Sequence, residues 1–281
     1  MLLGLMVSGV AAGREAAMVL DATFDIEPVW SGHPVGFLLD TRGSRQYVAY
    51  YDADRQMSVA QRELGSDAWT IQKLPEHVGW DSHNRIEAAF DATGRMHLSG
   101  NMHVAPMVYF RMAEPHDVTT LTRLPHMVGP EREQRATYPE FLRGADDELI
   151  FTYRDGSSGS GDQIYNVYDT GSQTWVRLLD TPIVSGEGRM NAYFRGPLLG
   201  PDGYFHLAWV WRDTPDAATN HDVSYARSRD LVRWEGSDGG AFALPITLAS
   251  AEIVDPVAAG AGLAIAACAT LFGATYSFSN A

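Results

Sequence analysis

The feature that most constrains this chain is a pair of short apolar-alternating runs, joined by a polar turn, that recurs four times. The pairs are "VGFLLDT" with "RQYVAYYD", "RIEAAFD" with "RMHLSGN", "PEFLRG" with "ELIFTYRD", and "GPLLG" with "YFHLAWVWRD". Alternation of this kind predicts half-buried strands, and the linkers "RGS", "ATG", "ADD" and "PDG" have the chemistry of hairpin turns. A third strand-like run follows each pair ("MSVAQREL", "MVYFRM", "IYNVYD", "VSYARS"), and a tryptophan closes several units, at Trp69, Trp175 and Trp234. The second runs begin near positions 46, 95, 148 and 204. A spacing of about 50 residues is the period of propeller blades. The expected fold is therefore all-β, a β-propeller of four-stranded antiparallel blades over residues 28–256.

Four units fit before the start of a fifth near "EIVDPV", which predicts an incomplete propeller of about four to five blades. "SRDLVRW", Ser228 to Trp234, resembles the Asp-box turn of neuraminidase-type propellers, with Leu231 and Val232 in place of its small residues. Residues 1–27 read as a separate N-terminal segment. Its start, "MLLGLMVSGVAAG", has the apolar stretch of a signal peptide without the usual basic beginning. Residues 257–281 form an atypical uncharged tail, read as a truncation or frame break and too interrupted for a membrane span.

The net charge of -14 argues against nucleic acid as a partner and means that an anionic ligand needs a local basic pocket. Cys268 is the only cysteine, so no intrachain disulfide forms. The expectation is a monomer, secreted or periplasmic, with no nucleic-acid or membrane partner.

A hairpin reverses direction, so the residue before its first strand and the residue after its second emerge at the same end. His83 precedes "RIEAAFD" and His103 follows "RMHLSGN". The same rule places His33, Tyr138, Asn191 and Tyr193 before first strands, and Tyr51, Arg154 and Arg212 after second strands. One face thus collects His, Tyr and Arg, while His97 lies within a strand and reads as structural. There is no HExxH, no close Cys/His cluster and no nucleophile elbow. No evident pair of inward carboxylates supports ordinary glycoside hydrolysis, although Asp81, Asp155 and Glu187 stay open. His, Tyr and Arg together fit β-elimination from a uronic acid. A base takes the proton α to the carboxylate, an acid protonates the departing glycosidic oxygen, and cationic donors neutralise the carboxylate. The alternatives are a glycosidase of the same fold and a non-catalytic carbohydrate-binding propeller.

"WSGHPVGF", "WDSHN", "GNMH", "TYPEF", "YRDGSSGSGD" and "NHDVSYARS" together resemble the BNR-4 propeller family, which includes ulvan lyases of polysaccharide lyase families 24 and 25 and relatives cleaving rhamnose–glucuronate linkages. The resemblance implies a seven-bladed propeller, metal-independent elimination, and an acidic polysaccharide or oligosaccharide substrate with uronate next to rhamnose. It implies no cofactor for catalysis; a structural metal ion stays open. By matching motif, His83 and Tyr138 correspond to the acid/base pair, and His103 and Arg154 to the carboxylate neutralisers. Tyr193, with Asn191, Arg212 and His33, is expected to bind substrate. The sequence does not decide which of His83 and Tyr138 is the base.

Overall fold

The computed structural model describes residues 22–261. It is all-β apart from two single 3-10 turns, Val118–Thr120 and Ala217–Thr219. The strands fall into four antiparallel sheets that follow one another along the chain. β1 (Leu38–Arg42), β2 (Arg45–Tyr51), β3 (Gln56–Glu63) and β4 (Thr70–His77) form the first, in that order. The second contains β5 (Ile86–Phe90), β6 (Met96–Gly100), β8 (Tyr109–Met112) and β9 (Leu121–Leu124). The third is β10 (Ala136–Arg143), β11 (Leu149–Asp155), β12 (Asp162–Asp169) and β13 (Thr174–Arg177), with β7 (His103–Ala105) added beside β10. The fourth is β14 (Asn191–Leu199), β15 (Phe205–Arg212), β16 (Asn220–Ser228) and the two-residue β17 (Trp234–Glu235), with β18 (Glu252–Asp255) also on β16.

All four expected hairpins are present, and their turns form for local reasons. Between β5 and β6, the Asp91 carboxylate accepts from the backbone N–H groups of Thr93 (2.8 Å) and Arg95 (2.9 Å), closing an Asx turn. Gly94 completes it at φ +84°, where a Cβ would stand inside the His116 ring. In "SRDLVRW", Asp230 accepts from the N–H groups of Val232 and Arg233 (2.9 and 2.8 Å), so the turn keeps its aspartate clamp despite the larger residues.

Buried side chains join the sheets in series. One cluster runs through the first three, including Tyr47, Phe90, Phe110, Phe151 and Trp175; a second joins the third to the fourth through Ile150, Tyr165, Trp209 and Trp234. Trp175 donates from its indole N–H to the Tyr109 hydroxyl (2.9 Å), so one of the closing tryptophans also ties the third sheet to the second. His97 is fully buried in the same region, bonded to Tyr109 (2.8 Å) and facing Asp91 (3.4 Å), as a structural histidine should be.

The structure departs from the expected pattern in three places. Two sheets have five strands rather than four, because β7 leaves the second sheet for the third and β18 joins the fourth. The run "EIVDPV" therefore does not open a fifth unit; it pairs along β16 beyond the short β17, where that edge is otherwise free. Tyr138, Asn191 and Tyr193 lie inside β10 and β14 rather than ahead of them, because each strand continues past a register shift, between Thr137 and Glu140 and between residues 195 and 198.

Candidate active site

The site is assembled where the second sheet hands a strand to the third. After β6 the chain passes Asn101 at φ +56°, and β7 then pairs with β10, setting His103 opposite Thr137. Val104 takes φ +52° and Tyr138 φ +57°. Left-handed backbone at a β-branched and at an aromatic residue is strained, and such strain gathers at functional sites. The Val104 N–H donates to Thr137 Oγ1 (2.8 Å), and Arg154 Nη2 donates to the same oxygen (3.2 Å). Thr137 thus fixes the histidine-bearing strand to the arginine-bearing one.

One half of the site is an imidazole–carboxylate cluster. Asp81 accepts the backbone N–H of His83 (2.9 Å), an Asx turn that sets the loop before β5. Its Oδ1 then takes His83 Nδ1 (2.5 Å) and its Oδ2 takes His103 Nδ1 (2.6 Å). The rings stack at 4.0 Å with 24° between planes, and the His83 ring lies 5.7 Å from that of Tyr138. Burial pushes the Asp81 carboxyl up, but the bonds from the His83 N–H and from both rings outweigh it and hold the group well below the usual carboxylate range. An ionised Asp81 favours a proton on Nδ1 of each ring and turns each Nε2 away from itself.

The other half is cationic and aromatic. Arg154, next to the end of β11, is 3% exposed, with its guanidinium 5.0 Å from the centre of the Tyr138 ring. It donates to Tyr193 Oη (3.3 Å), and its Nε–H is buried without a partner among the described residues. Among the described residues Arg154 makes no ion pair: Asp155 and Asp162 instead face Arg132, at 3.5 and 3.3 Å. Arg212 lies 3.8 Å over the Tyr193 ring and is held by Asn220 (2.6 Å) and Ser158 (3.3 Å). Desolvation raises the Tyr138 phenol above its ordinary value, with Tyr193 adding to the rise, while Arg154, Arg212 and Arg85 pull the other way. Gly161 lets the glycine-rich loop close on this half. A Cβ there would stand 2.6 Å from Asn191 Oδ1 and 2.7 Å from the Arg154 stem.

His83, His103, Tyr138, Arg154, Tyr193 and Arg212 are therefore brought together from three sheets. Asn191 is buried beside Gly161, with its amide nitrogen on Ala192 O (3.1 Å) and its oxygen without a partner among the described residues. His33 instead lies edge-on to Trp30 (4.4 Å) and is bonded to Gly79 O (3.3 Å). Tyr51 is core: 2% exposed, its hydroxyl 3.4 Å from Arg85 O. Sequence reasoning left Asp81 open without seeing that it bridges the histidines, and it missed Thr137 and Ser158. "DSH" was the available signal for Asp81, but it also describes an ordinary turn.

Asp81, His83 and His103 have ligand atoms within 4.8 Å of one another, a donor set that could hold a metal ion such as zinc. Both Asp81 oxygens and both Nδ1 atoms are already paired, so an ion held through them would replace those bonds. No helix among the described residues is long and apolar enough to cross a membrane.

This succession of antiparallel sheets is similar to part of the fold of two polysaccharide lyases of known structure. The chain aligns with the crystal structure of polysaccharide lyase Uly1 at a TM-score of 0.68 and 18% identity, over 88% of this chain and 66% of that one. A PL25 ulvan lyase bound to -[GlcA(1-4)Rha3S]- aligns at 0.60 and 14% identity, over 82% of this chain and 60% of that one. The chain thus spans slightly under two thirds of the length of these structures. No curated protein matches it. Residues 45–267 match the BNR repeat-containing family, and the chain belongs to that family.

Proposed function

We propose that this protein is a polysaccharide lyase that cleaves a uronate-containing, rhamnose-rich, ulvan-like glycan by β-elimination. The observation that carries the reading is Arg154, a buried guanidinium without a carboxylate partner among the described residues, beside two histidines and a tyrosine. Leaving a buried charge uncompensated costs about 3–5 kcal/mol, which an anionic ligand would offset. A uronate carboxylate matches the planar fork of arginine and supplies that anion.

In this reading the carboxylate lies against Arg154 and His103. His83 Nε2 takes the proton α to it, and the electron pair passes into the carboxylate-stabilised anion. The pair then forms the C4–C5 double bond as the C4–O bond breaks, and the Tyr138 phenol gives its proton to the leaving oxygen. The raised phenol supports Tyr138 as the donor, because it keeps its proton at neutral pH. Asp81 holds the His83 imidazole in the tautomer this requires and orients the His103 ring. Tyr193, Arg212 and Asn191 shape the wall beside the sugar. No metal takes part, and any structural ion lies outside the reaction. The four sheets are read as successive blades of a β-propeller, with the site at one end of the inner hairpins. A substrate of this kind lies outside the cell, so a secreted or periplasmic enzyme fits it.

The test is a panel of uronate glycans followed by ultraviolet absorbance of the unsaturated product. The chain is expected to generate the chromophore, and His83→Ala and Tyr138→Phe to lose about 10² or more of the rate. Rates near the parent's in both variants would remove the assignment.

A further inference from the structure

Trp80 is 73% exposed, the most open of the large apolar side chains among the described residues, and it directly precedes the residue that bridges the two histidines. It is not loosely held. Its ring meets Trp30 edge-to-face at 5.2 Å and 83°, Trp30 meets His33 at 4.4 Å and 81°, and His33 lies 6.2 Å from Trp80. The base of this group is braced from both sides. The Trp30 N–H donates to Tyr51 O (3.1 Å), His33 Nε2 bonds to Gly79 O (3.3 Å), and the Gly79 N–H donates to Asn101 Oδ1 (3.2 Å). Gly32 has no side chain to collide with the Trp30 indole; a Cβ there would meet that ring at 2.4 Å. An indole fixed in plane and left mostly in water is pre-organised to be covered by a flat apolar ligand.

We propose that Trp80, braced by Trp30 and His33, is a stacking platform for the sugar next to the uronate, taking the apolar face of a 6-deoxyhexose. The inference rests on the lyase reading and deepens it. The cationic half of the site offers Arg154 and Arg212 to the acidic sugar, whereas the Trp80 end offers an aromatic face without a cation among its ring partners. The two ends thus sort an alternating chain by chemistry, anionic ring to the arginines and less polar ring to the indole. His33 acts here as a positioning residue that holds the loop and the indole plane rather than as a contact to the uronate.

The experiment uses the full chain and oligosaccharides of alternating glucuronate and unsulfated rhamnose, with intrinsic tryptophan fluorescence and steady-state kinetics as readouts. Trp80→Ala should raise KM roughly tenfold, change kcat far less, and remove most of the fluorescence response. Trp80→Phe should restore KM to within a few-fold, because a smaller ring still stacks. Unchanged KM and unchanged fluorescence response in Trp80→Ala would overturn the platform, as would a parent protein whose fluorescence does not respond to these oligosaccharides. If binding depends on Trp80 but no unsaturated product forms, the platform stands and the lyase reading falls. If product forms and depends on His83 but not on Trp80, the reverse holds.

Discussion

The two halves of the site solve opposite electrostatic problems. At the loop before β5, three ionisable groups are bonded to one another: Asp81 takes both histidines, and each of the three side chains is about one third exposed. At the end of β11, Arg154 is buried with hydroxyls and tyrosine rings around it and, among the described residues, no carboxylate partner. The first half is complete as it stands and is suited to moving a proton. The second lacks an anion and is suited to holding one. Thr137 joins them by accepting from both strands.

That contrast is broken most severely at Arg154. Arg154→Ala should cost about 10²–10³ in the rate of elimination, the scale of losing a donor to developing charge. Arg154→Lys should remain well below the parent, because a point charge does not reproduce the fork. A rate unchanged in both would make Arg154 structural. Asp81→Asn tests the other half. Losing the carboxylate that orients both rings should lower the rate about 10–100-fold with little change in KM, and a change confined to KM would contradict a role in proton transfer. Gly161→Ala should lower activity about tenfold or more by pushing on the Arg154 stem and Asn191 while leaving the histidine cluster intact; parent-like kinetics would show that the loop can give way. Treatment with a chelator should leave the rate unchanged, and loss restored by zinc would reassign Asp81, His83 and His103 as ligands.

The smallest expected effect is on stability. Burial and the neighbouring Glu140 push the Glu87 carboxyl up to about 7, with Arg85 opposing. A carboxyl whose folded pKa exceeds its unfolded value of 4.5 favours the folded state fully below that value, and the advantage is lost as pH rises through about 7. Glu87→Gln should therefore raise Tm by a few degrees at pH 8 and by less at pH 5. Equal shifts at both pH values would show that Glu87 does not titrate in this range.

Much of this was legible in the sequence because hairpins obey period two and their turns use Asp and Gly for reasons local to the turn. The face shared by His83, Tyr138 and Arg154 followed from strand reversal alone. The crossover of β7 did not, because a three-residue strand carries no periodicity and its partner lies more than 30 residues away along β10. The same gap hid the role of Thr137. β10 and β14 run further than their alternation suggests because bulges reset the register, which placed Tyr138 and Tyr193 inside strands. His33 was grouped with the site by repeat position, yet its contacts are the indole of Trp30 and the Gly79 carbonyl, which repeat position does not encode.

The central claim is that a uronate carboxylate completes the Arg154 half and is activated there for elimination. It is tested most directly by comparing one glucuronate–rhamnose glycan before and after chemical reduction of its carboxylates to alcohols. The account predicts unsaturated product from the acidic glycan and none from the reduced one. Equal cleavage of both, or new reducing ends from the acidic glycan without the ultraviolet chromophore, would contradict it.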